Sequence, residues 1–307
     1  MPTSIPVEKV PARREPKPAW LKVKLPGGER YAAIKERLRS LDLHTVCEEA
    51  RCPNIGECWG GGTATIMILG DTCTRGCRFC AVDTGKPTAV DWAEPARVAH
   101  AISQMGLDYV VITSVNRDEL DDGGSTIFAR TIRATRARQP SLLIEVLTPD
   151  FQGKLDSVDR VVDAAPDTFA HNVETIERLQ RRVRDARANY RQSLSVLERA
   201  RAGRVLSHGL TKTSIMLGLG ETEAEVLETM RDLRGVGCDV VTFGQYLRPS
   251  PKHLPIVEYV APERFEALRL AALDMGFVYC ASGPLVRSSY KAGEYFLTEY
   301  YRKAQAA

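Results

Sequence analysis

Runs of Val, Ile, Leu, Thr and aromatic residues recur at 63–70, 108–115, 142–148, 168–173, 211–217 and 240–247. Each reads as a buried strand. Helical periodicity fills the intervals. Val98, Ile102 and Met105 share one face, as do Val226, Met230 and Leu233. The second of these helices opens on a capping box, Thr222 with Glu225, and stops at Gly235 and Gly237. The last helix has Pro262 near its start, turns Phe265, Leu268 and Met275 inward, and ends at Gly276. Six strand–helix units in series predict an α/β chain with parallel strands and right-handed crossovers. Six is short of the eight that close a (β/α)8 barrel. A partial (β/α)6 barrel, open on one side, admits a large substrate. Residues 276–287 read as a closing strand, with apolar runs at 277–280 and 284–286. No fixed-period repeat is present, so a solenoid is excluded.

The ends of the chain follow other patterns. Residues 1–28 hold six of the 17 prolines, interleaved with Lys and Arg, and predict an extended arm that docks through Trp20 and Leu21. Residues 29–43 read as a helix with Ile34, Leu38 and Leu41 on one face. The expected organisation is an N-terminal extension over 1–62, a barrel over 63–276 and a C-terminal extension over 277–307.

Composition narrows the function classes. The chain has 307 residues, 44% hydrophobic and 26% charged, which suffices for a sizeable core. Its 42 basic and 39 acidic residues leave a net charge of +3, too mild to argue for nucleic acid. No apolar run reaches transmembrane length, and no membrane partner is expected.

Cysteine usage changes the picture most. Six of eight cysteines fall between Cys47 and Cys80, while Cys238 and Cys280 stand alone and read as core thiols. The first residues do not resemble a signal peptide. Clustered cysteines in a reducing compartment then read as metal ligands, and a cytoplasmic location is expected. Cys73, Cys77 and Cys80 form C-x3-C-x2-C directly after the first strand. Three thiolates on one loop can hold three irons of a [4Fe–4S] cube, leaving the fourth for another ligand. The amine and carboxylate of S-adenosylmethionine (AdoMet) suit that iron. Upstream, Cys47, Cys52 and Cys58 form C-x4-C-x5-C, a second three-thiolate set. One or two zincs shared by these six cysteines is the alternative, although neither triplet contains a suitably spaced histidine: His44 and His100 lie outside both.

Strand C-terminal ends carry the chemistry in such folds. Polar and Gly-rich clusters sit there at 116–124, 171–174, 217–221 and 245–249. With Phe79 before the last cysteine, the 73–80 triplet resembles the radical-AdoMet superfamily. The paired triplets, together with clusters 171–175, 217–222 and 245–250 and the run Arg287-Ser288-Ser289-Tyr290, resemble the lipoyl synthases over residues 30–295.

That resemblance implies a radical-AdoMet partial barrel and insertion of two sulfurs at C6 and C8 of a protein-bound octanoyl chain. Such C–H bonds lie outside the reach of protein acids and bases, so a radical cofactor carries the step. Cys73, Cys77 and Cys80 are implied to hold the cluster that cleaves AdoMet. Cys47, Cys52 and Cys58, with Ser289 as fourth ligand, are implied to hold an auxiliary [4Fe–4S] cluster that gives up sulfur. Without the family, Ser288-Ser289 reads as a polar turn near the C-terminus rather than as a ligand. Gly123 and Gly124 are expected beside the methionyl ammonium, Asn172 and Glu174 at the ribose or the amino-acid end. Gly218 and Gly220 are expected near adenine, and Arg248 at a carboxylate. Implied partners are octanoylated lipoyl-carrier domains (glycine cleavage H protein, E2 subunits of 2-oxoacid dehydrogenases), a ferredoxin- or flavodoxin-type electron donor and an iron–sulfur carrier protein. A sulfur inserter of the biotin-synthase or methylthiotransferase kind, or a non-catalytic iron–sulfur or zinc module, are the other readings.

Overall fold

A computed structural model describes residues 17–22, 27–40, 44–49, 52, 54–61, 63–204, 206, 209–289 and 299–301. Strands β1 (His44–Thr45), β2 (Thr63–Ile68), β3 (Tyr109–Ser114), β4 (Leu143–Leu147), β5 (Thr168–Ala170), β6 (Leu210–Leu217), β7 (Val240–Gln245) and β8 (Tyr279–Gly283) form one sheet in chain order. Strands β2 to β8 are all parallel, and β1 pairs antiparallel with β2. Sheet order runs from β1 at one edge to β8 at the other without returning. The expected partial barrel of six strand–helix units, followed by a closing strand, is therefore present.

Helices α1 (Glu29–Ser40), α2 (Val46–Glu49) and α3 (Ile55–Gly61) precede the parallel strands. The crossovers carry α4 (Glu94–Gln104), α5 (Ser125–Arg138), α6 (Leu155–Val162), α7 (Gln180–Val183), α8 (Tyr190–Gly203), α9 (Glu223–Gly235) and α10 (Pro262–Asp274). Val98 and Ile102 of α4 and Val226, Met230 and Leu233 of α9 are buried as their spacing predicts. Thr222 accepts from the Glu225 amide, and the Glu225 carboxylate accepts from the Thr222 amide. This reciprocal cap contributes about 1 kcal/mol. Cys238 and Cys280 are core thiols, as expected.

Strand alternation sorts the core into layers. Val110, Ile112, Ile144 and Val146 pack outward in one core, and Ile215, Leu217, Val241 and Phe243 in a second. Tyr109, Val111, Leu143, Leu210 and Val240 form a third, capped by Tyr301 from the C-terminal segment. These residues lie at or near the strand N-termini, so the base of the barrel is plugged and chemistry is left to the opposite rim.

Several boundaries differ from the sequence reading. The first strand stops at Ile68, because Leu69 (φ 68°) and Gly70 (φ 83°) turn the chain into the cysteine loop. The fourth stops at Ala170, because Thr213 Oγ1 takes the Val173 amide and Glu174 turns at φ 66°. The closing strand is Tyr279–Gly283, and residues 284–286 turn back, with the Val286 amide donating to Gly283 O. Leu21 is buried while Trp20 is 44% exposed, so the arm docks here through the leucine. Residues 1–16, Leu41 and Tyr290 lie outside the described residues.

Candidate active site

The loop after β2 is held from several sides. Glu94 accepts from the Leu69 amide, and Arg117 donates to Leu69 O at 2.7 Å. Cys73 and residues 83–85 then pair as a short bridge: Cys73 N–H to Asp83 O at 2.8 Å, and Gly85 N–H to Cys73 O at 2.9 Å. Arg75 is the main anchor. Its buried guanidinium donates to both oxygens of Asp118 at 2.8 Å and to Asp150 at 2.7 Å. These charge-assisted bonds hold the Arg75 pKa above its usual range against the opposing effect of burial. Asp185 accepts from the Gly76 amide at 2.9 Å, and its own amide points at Cys77 Sγ at 3.3 Å.

The three thiols of this loop are free and share one electrostatic neighbourhood. Burial pushes Cys80 up to about 12, and negative charge on Cys77, Cys73 and Glu174 adds to it. Cys77 rises to about 11, again mainly by burial. Glu174 therefore faces the cysteine loop from the fifth strand's end, its carboxyl raised by burial and pulled back by Arg184. Asn172 donates to Glu174 at 3.2 Å, while its own Oδ1 is buried without a partner. An acceptor left open beside a carboxyl suits a polar ligand. Phe79 is half-buried against the second core.

The other rim residues are placed less uniformly. Gly124 (φ 90°) begins α5, and a Cβ there would stand 2.3 Å from Leu69 Cδ1. A Cβ on Gly218 (φ 94°) would collide with Gln245 and Glu258. Packing thus accounts for both glycines. Gly123 packs on Phe151, and Gly220 accepts from Arg178 at 2.8 Å. Arg248 is exposed and donates to the carbonyls of His253 and Pro251, tying down its own turn.

The second triplet sits across the open side. Cys47 lies in α2, Cys58 in α3 and Cys52 between them, with the Cys52 amide donating to Cys47 O at 3.0 Å. Burial raises Cys47 to about 12; charge on Cys52 raises it further, while Thr65 and Trp59 lower it. The buried Trp59 Nε1 has no hydrogen-bond partner and borders this thiol. Asn54, beside these cysteines, donates to Leu285 O after β8, the strand at the other sheet edge, at 2.6 Å. Burial pulls the Arg287 guanidinium below its usual range and pushes the Cys52 thiol up, and the attraction between the two charges opposes both shifts. The half-buried Ser289 lies two residues beyond. The turn after β8 is thereby brought to the cysteines that precede β2.

Among the described residues, no three His, Cys, Asp or Glu side chains close tightly enough to grip one ion. A cube asks for less, since each thiolate takes a different iron. Cysteines in two sets, none of them in a disulfide and without a histidine in either set, fit two such clusters.

Comparison with known proteins agrees. Residues 67–233 match the radical SAM superfamily, and residues 4–52 match the N-terminal domain of lipoyl synthase of the radical SAM family. The chain is 58% identical over 309 residues to the lipoyl synthase of Sorangium cellulosum, covering 96% of the chain and 83% of that protein.

The chain belongs to the lipoyl synthase family. A relative from Halorubrum lacusprofundi is 58% identical, with 94% of each chain covered. A mitochondrial one from Picea sitchensis is 57% identical, over 92% of the chain and 74% of the relative. Streptococcus suis SuiB bound to precursor peptide SuiA shares the fold at a TM-score of 0.55 and 10% identity, over 82% of this chain and 52% of that one. HydG, a maturase of the [FeFe]-hydrogenase, does so at 0.52 and 16%, over 82% and 56%. As a member of this family the chain is an enzyme of AdoMet-dependent radical chemistry, with two [4Fe–4S] clusters as cofactors.

Residues that sequence reading missed are those that support the family's cysteines: Arg75, Asp118, Asp150, Asp185 and Trp59. Arg75 and Asp185 carried a signal, one inside the triplet and the other in an Arg-rich stretch. Nothing in the spacing marks Asp118 or Asp150 as partners of Arg75. Among the described residues no helix is long and apolar enough to cross a membrane.

Proposed function

We propose that this enzyme inserts sulfur at C6 and C8 of an octanoyl chain carried on a lysine of a lipoyl-carrier domain, such as a glycine cleavage H protein or an E2 subunit of a 2-oxoacid dehydrogenase. The observation that carries this reading is one open barrel that bears two cysteine sets: Cys73, Cys77 and Cys80 on the strand rim, and Cys47, Cys52 and Cys58 drawn to the turn that bears Ser289. When bound, AdoMet and the two clusters supply a hydrogen-abstracting radical and the inserted sulfide. The protein's part is to hold and orient. Arg75, Asp118 and Asp150 fix the loop of the first triplet. Asn172 and Glu174 offer polar contacts beside it, and Gly123, Gly124, Gly218, Gly220 and Arg248 shape the rim. Ser289 completes the second site as its fourth ligand. Residues 1–62 and 277–307 act as extensions that build this second site on the 63–276 barrel. A ferredoxin- or flavodoxin-type protein supplies electrons, and an iron–sulfur carrier renews the spent cluster. Eight free cysteines fit a reducing compartment, and we place the enzyme in the cytoplasm.

Division of labour between the triplets tests the reading. Cys77→Ala is expected to abolish 5′-deoxyadenosine formation. Cys52→Ala is expected to retain it and to yield no thiolated product on an octanoylated carrier followed by mass spectrometry. Full sulfur insertion by Cys52→Ala in a single turnover contradicts the assignment.

A further inference from the structure

We propose that the exposed cations Arg78, Arg181, Arg182 and Lys252 form the docking face for an acidic one-electron donor protein that reduces the cluster on Cys73, Cys77 and Cys80. This rests on the functional reading above. The stretch around α7 is rich in arginine, and most of it is neutralised locally. Arg178 pairs with Glu225 at 2.5 Å, Arg187 with Asp185 at 2.8 Å and Arg191 with Glu177 at 2.9 Å. Arg184 is buried against Gln180 and Ser193. Arg181 and Arg182 are exposed, and among the described residues neither forms an ion pair. The same holds for Arg78 and Lys252.

These four converge on the cysteine loop. Arg78 lies between Cys77 and Cys80. Its amide donates to Val183 O at 2.9 Å, and its guanidinium reaches Arg182 O at 3.4 Å. On its other side Arg78 O accepts from the Leu254 amide at 3.1 Å, while His253 Nε2 lies 2.8 Å from Cys80 O. Segments 181–183 and 252–254 therefore flank Arg78, and each leaves cations unpaired in solvent. With a net charge of only +3 over the chain, this concentration is local rather than general.

The chemistry selects the occupant. An electron crosses a face sealed by backbone, whereas an acyl chain requires an opening. Arg78 belongs to the cysteine loop itself and is tied by hydrogen bonds to segments 181–183 and 252–254, so the face brings a docked donor close to the thiols and suits electron delivery. The donor loses one electron and the cluster gains one, with no bond made or broken. A positive patch steers an acidic partner and raises its association rate, in a salt-dependent way.

The test uses the cluster-loaded enzyme, reduced acidic flavodoxin as protein donor and dithionite as a small-molecule donor. Arg181→Gln/Arg182→Gln is expected to lower the flavodoxin-driven rate of cluster bleaching and of AdoMet cleavage about tenfold at low salt. High salt should erase the difference between variant and wild type. Dithionite-driven cleavage, iron content and the reduced cluster's electron paramagnetic resonance spectrum should stay unchanged. Lys252→Gln, outside the arginine stretch, is expected to give a smaller loss of the same kind. An unchanged flavodoxin-driven rate in both variants overturns the proposal. So does normal flavodoxin reduction with lost thiolation of the octanoylated carrier, which assigns the face to the carrier. Failure of wild type with dithionite strikes the functional reading instead, and the two failures are distinguishable.

Discussion

A serine alkoxide is a harder donor than the thiolates around it and is the weaker match for iron in a sulfide cluster. On the assignment proposed above, this makes Ser289 the ligand most ready to leave. Its placement on the turn whose Arg287 borders Cys52 is what the assignment needs, although more than two hundred residues separate the two in sequence. Ser289→Cys is expected to bind the second cluster more firmly, so that iron retained after one turnover rises while thiolated product falls and 5′-deoxyadenosine continues to form. Wild-type sulfur insertion in Ser289→Cys would show that departure of a weak ligand is not used. A second single residue sets an acid limit. His171 is fully buried, its ring nitrogens 2.9 Å from Thr148 O and Ser193 Oγ. Burial first, and then Arg184, depress it from 6.5 to about 4. The unfolded chain thus binds a proton between those values that the native state refuses. Stability from this group is complete above 6.5 and declines as pH falls towards 4, by about 3 kcal/mol. In the apo-protein, His171→Gln should lose less stability between pH 7 and 4.5 than wild type does in urea unfolding; equal losses would show that His171 does not set this limit.

At the scale of elements, the cysteine loop is positioned by charge rather than by regular structure. Arg75, Asp118 and Asp150 lie in three different loops, and their bonds decide where the thiols point. Arg75→Met strands the fully buried Asp150 without its cation and leaves Asp118 with Arg187 alone, at a cost of about 3–5 kcal/mol. Iron at the first site should fall to about half that of wild type or below, with the second site still loaded. Separate quantification of the two clusters by Mössbauer spectroscopy checks this, and equal loss from both sites would point to general unfolding. Elements of this kind explain what could be read in advance. The parallel strands and their helices announced themselves by apolar period and by caps such as Thr222, because burial of one face repeats along the chain. Both cysteine triplets were legible because their spacing is local. Strand β1 was not, since two residues give no period. Nor was the early end of β5, where Thr213 from the neighbouring strand captures an amide. Arg75, Asp118 and Asp150 form a contact with no sequence period at all, and Trp59 looks like any core aromatic until its Nε1 is found bordering Cys47.

The whole molecule is asymmetric along the barrel axis. Its C-terminal rim carries the polar groups, glycines and cysteine loop, while its base is filled by side chains and a returning segment. Lys212 Nζ donates to both Glu145 oxygens at 2.8 and 2.9 Å, and Tyr109 donates to Glu145 at 2.5 Å. Below them Tyr301 donates to Asp167 O at 2.6 Å and shares a hydrogen bond with Thr168 at 2.8 Å. A buried pair of this kind adds little net stability over an apolar replacement, but removal of one partner leaves a charge in a site without water. Lys212→Met is therefore expected to destabilise the enzyme by about 3–5 kcal/mol, because the Glu145 carboxylate is stranded. Lys212→Met/Glu145→Leu should recover most of that loss, less about 1–2 kcal/mol for the Tyr109 hydroxyl, which keeps only its 3.5 Å contact with Thr168. Tyr301→Phe removes its two bonds at the base and should cost a similar 1–2 kcal/mol. Because all three residues stand away from the rim, the variants that fold should keep their cluster iron and their AdoMet cleavage rate. Urea unfolding of the four proteins gives the energies. A double variant no more stable than Lys212→Met would show that the base is held by shape rather than by charge balance. Lost cleavage in a folded double variant would show that the plug reaches the chemistry after all.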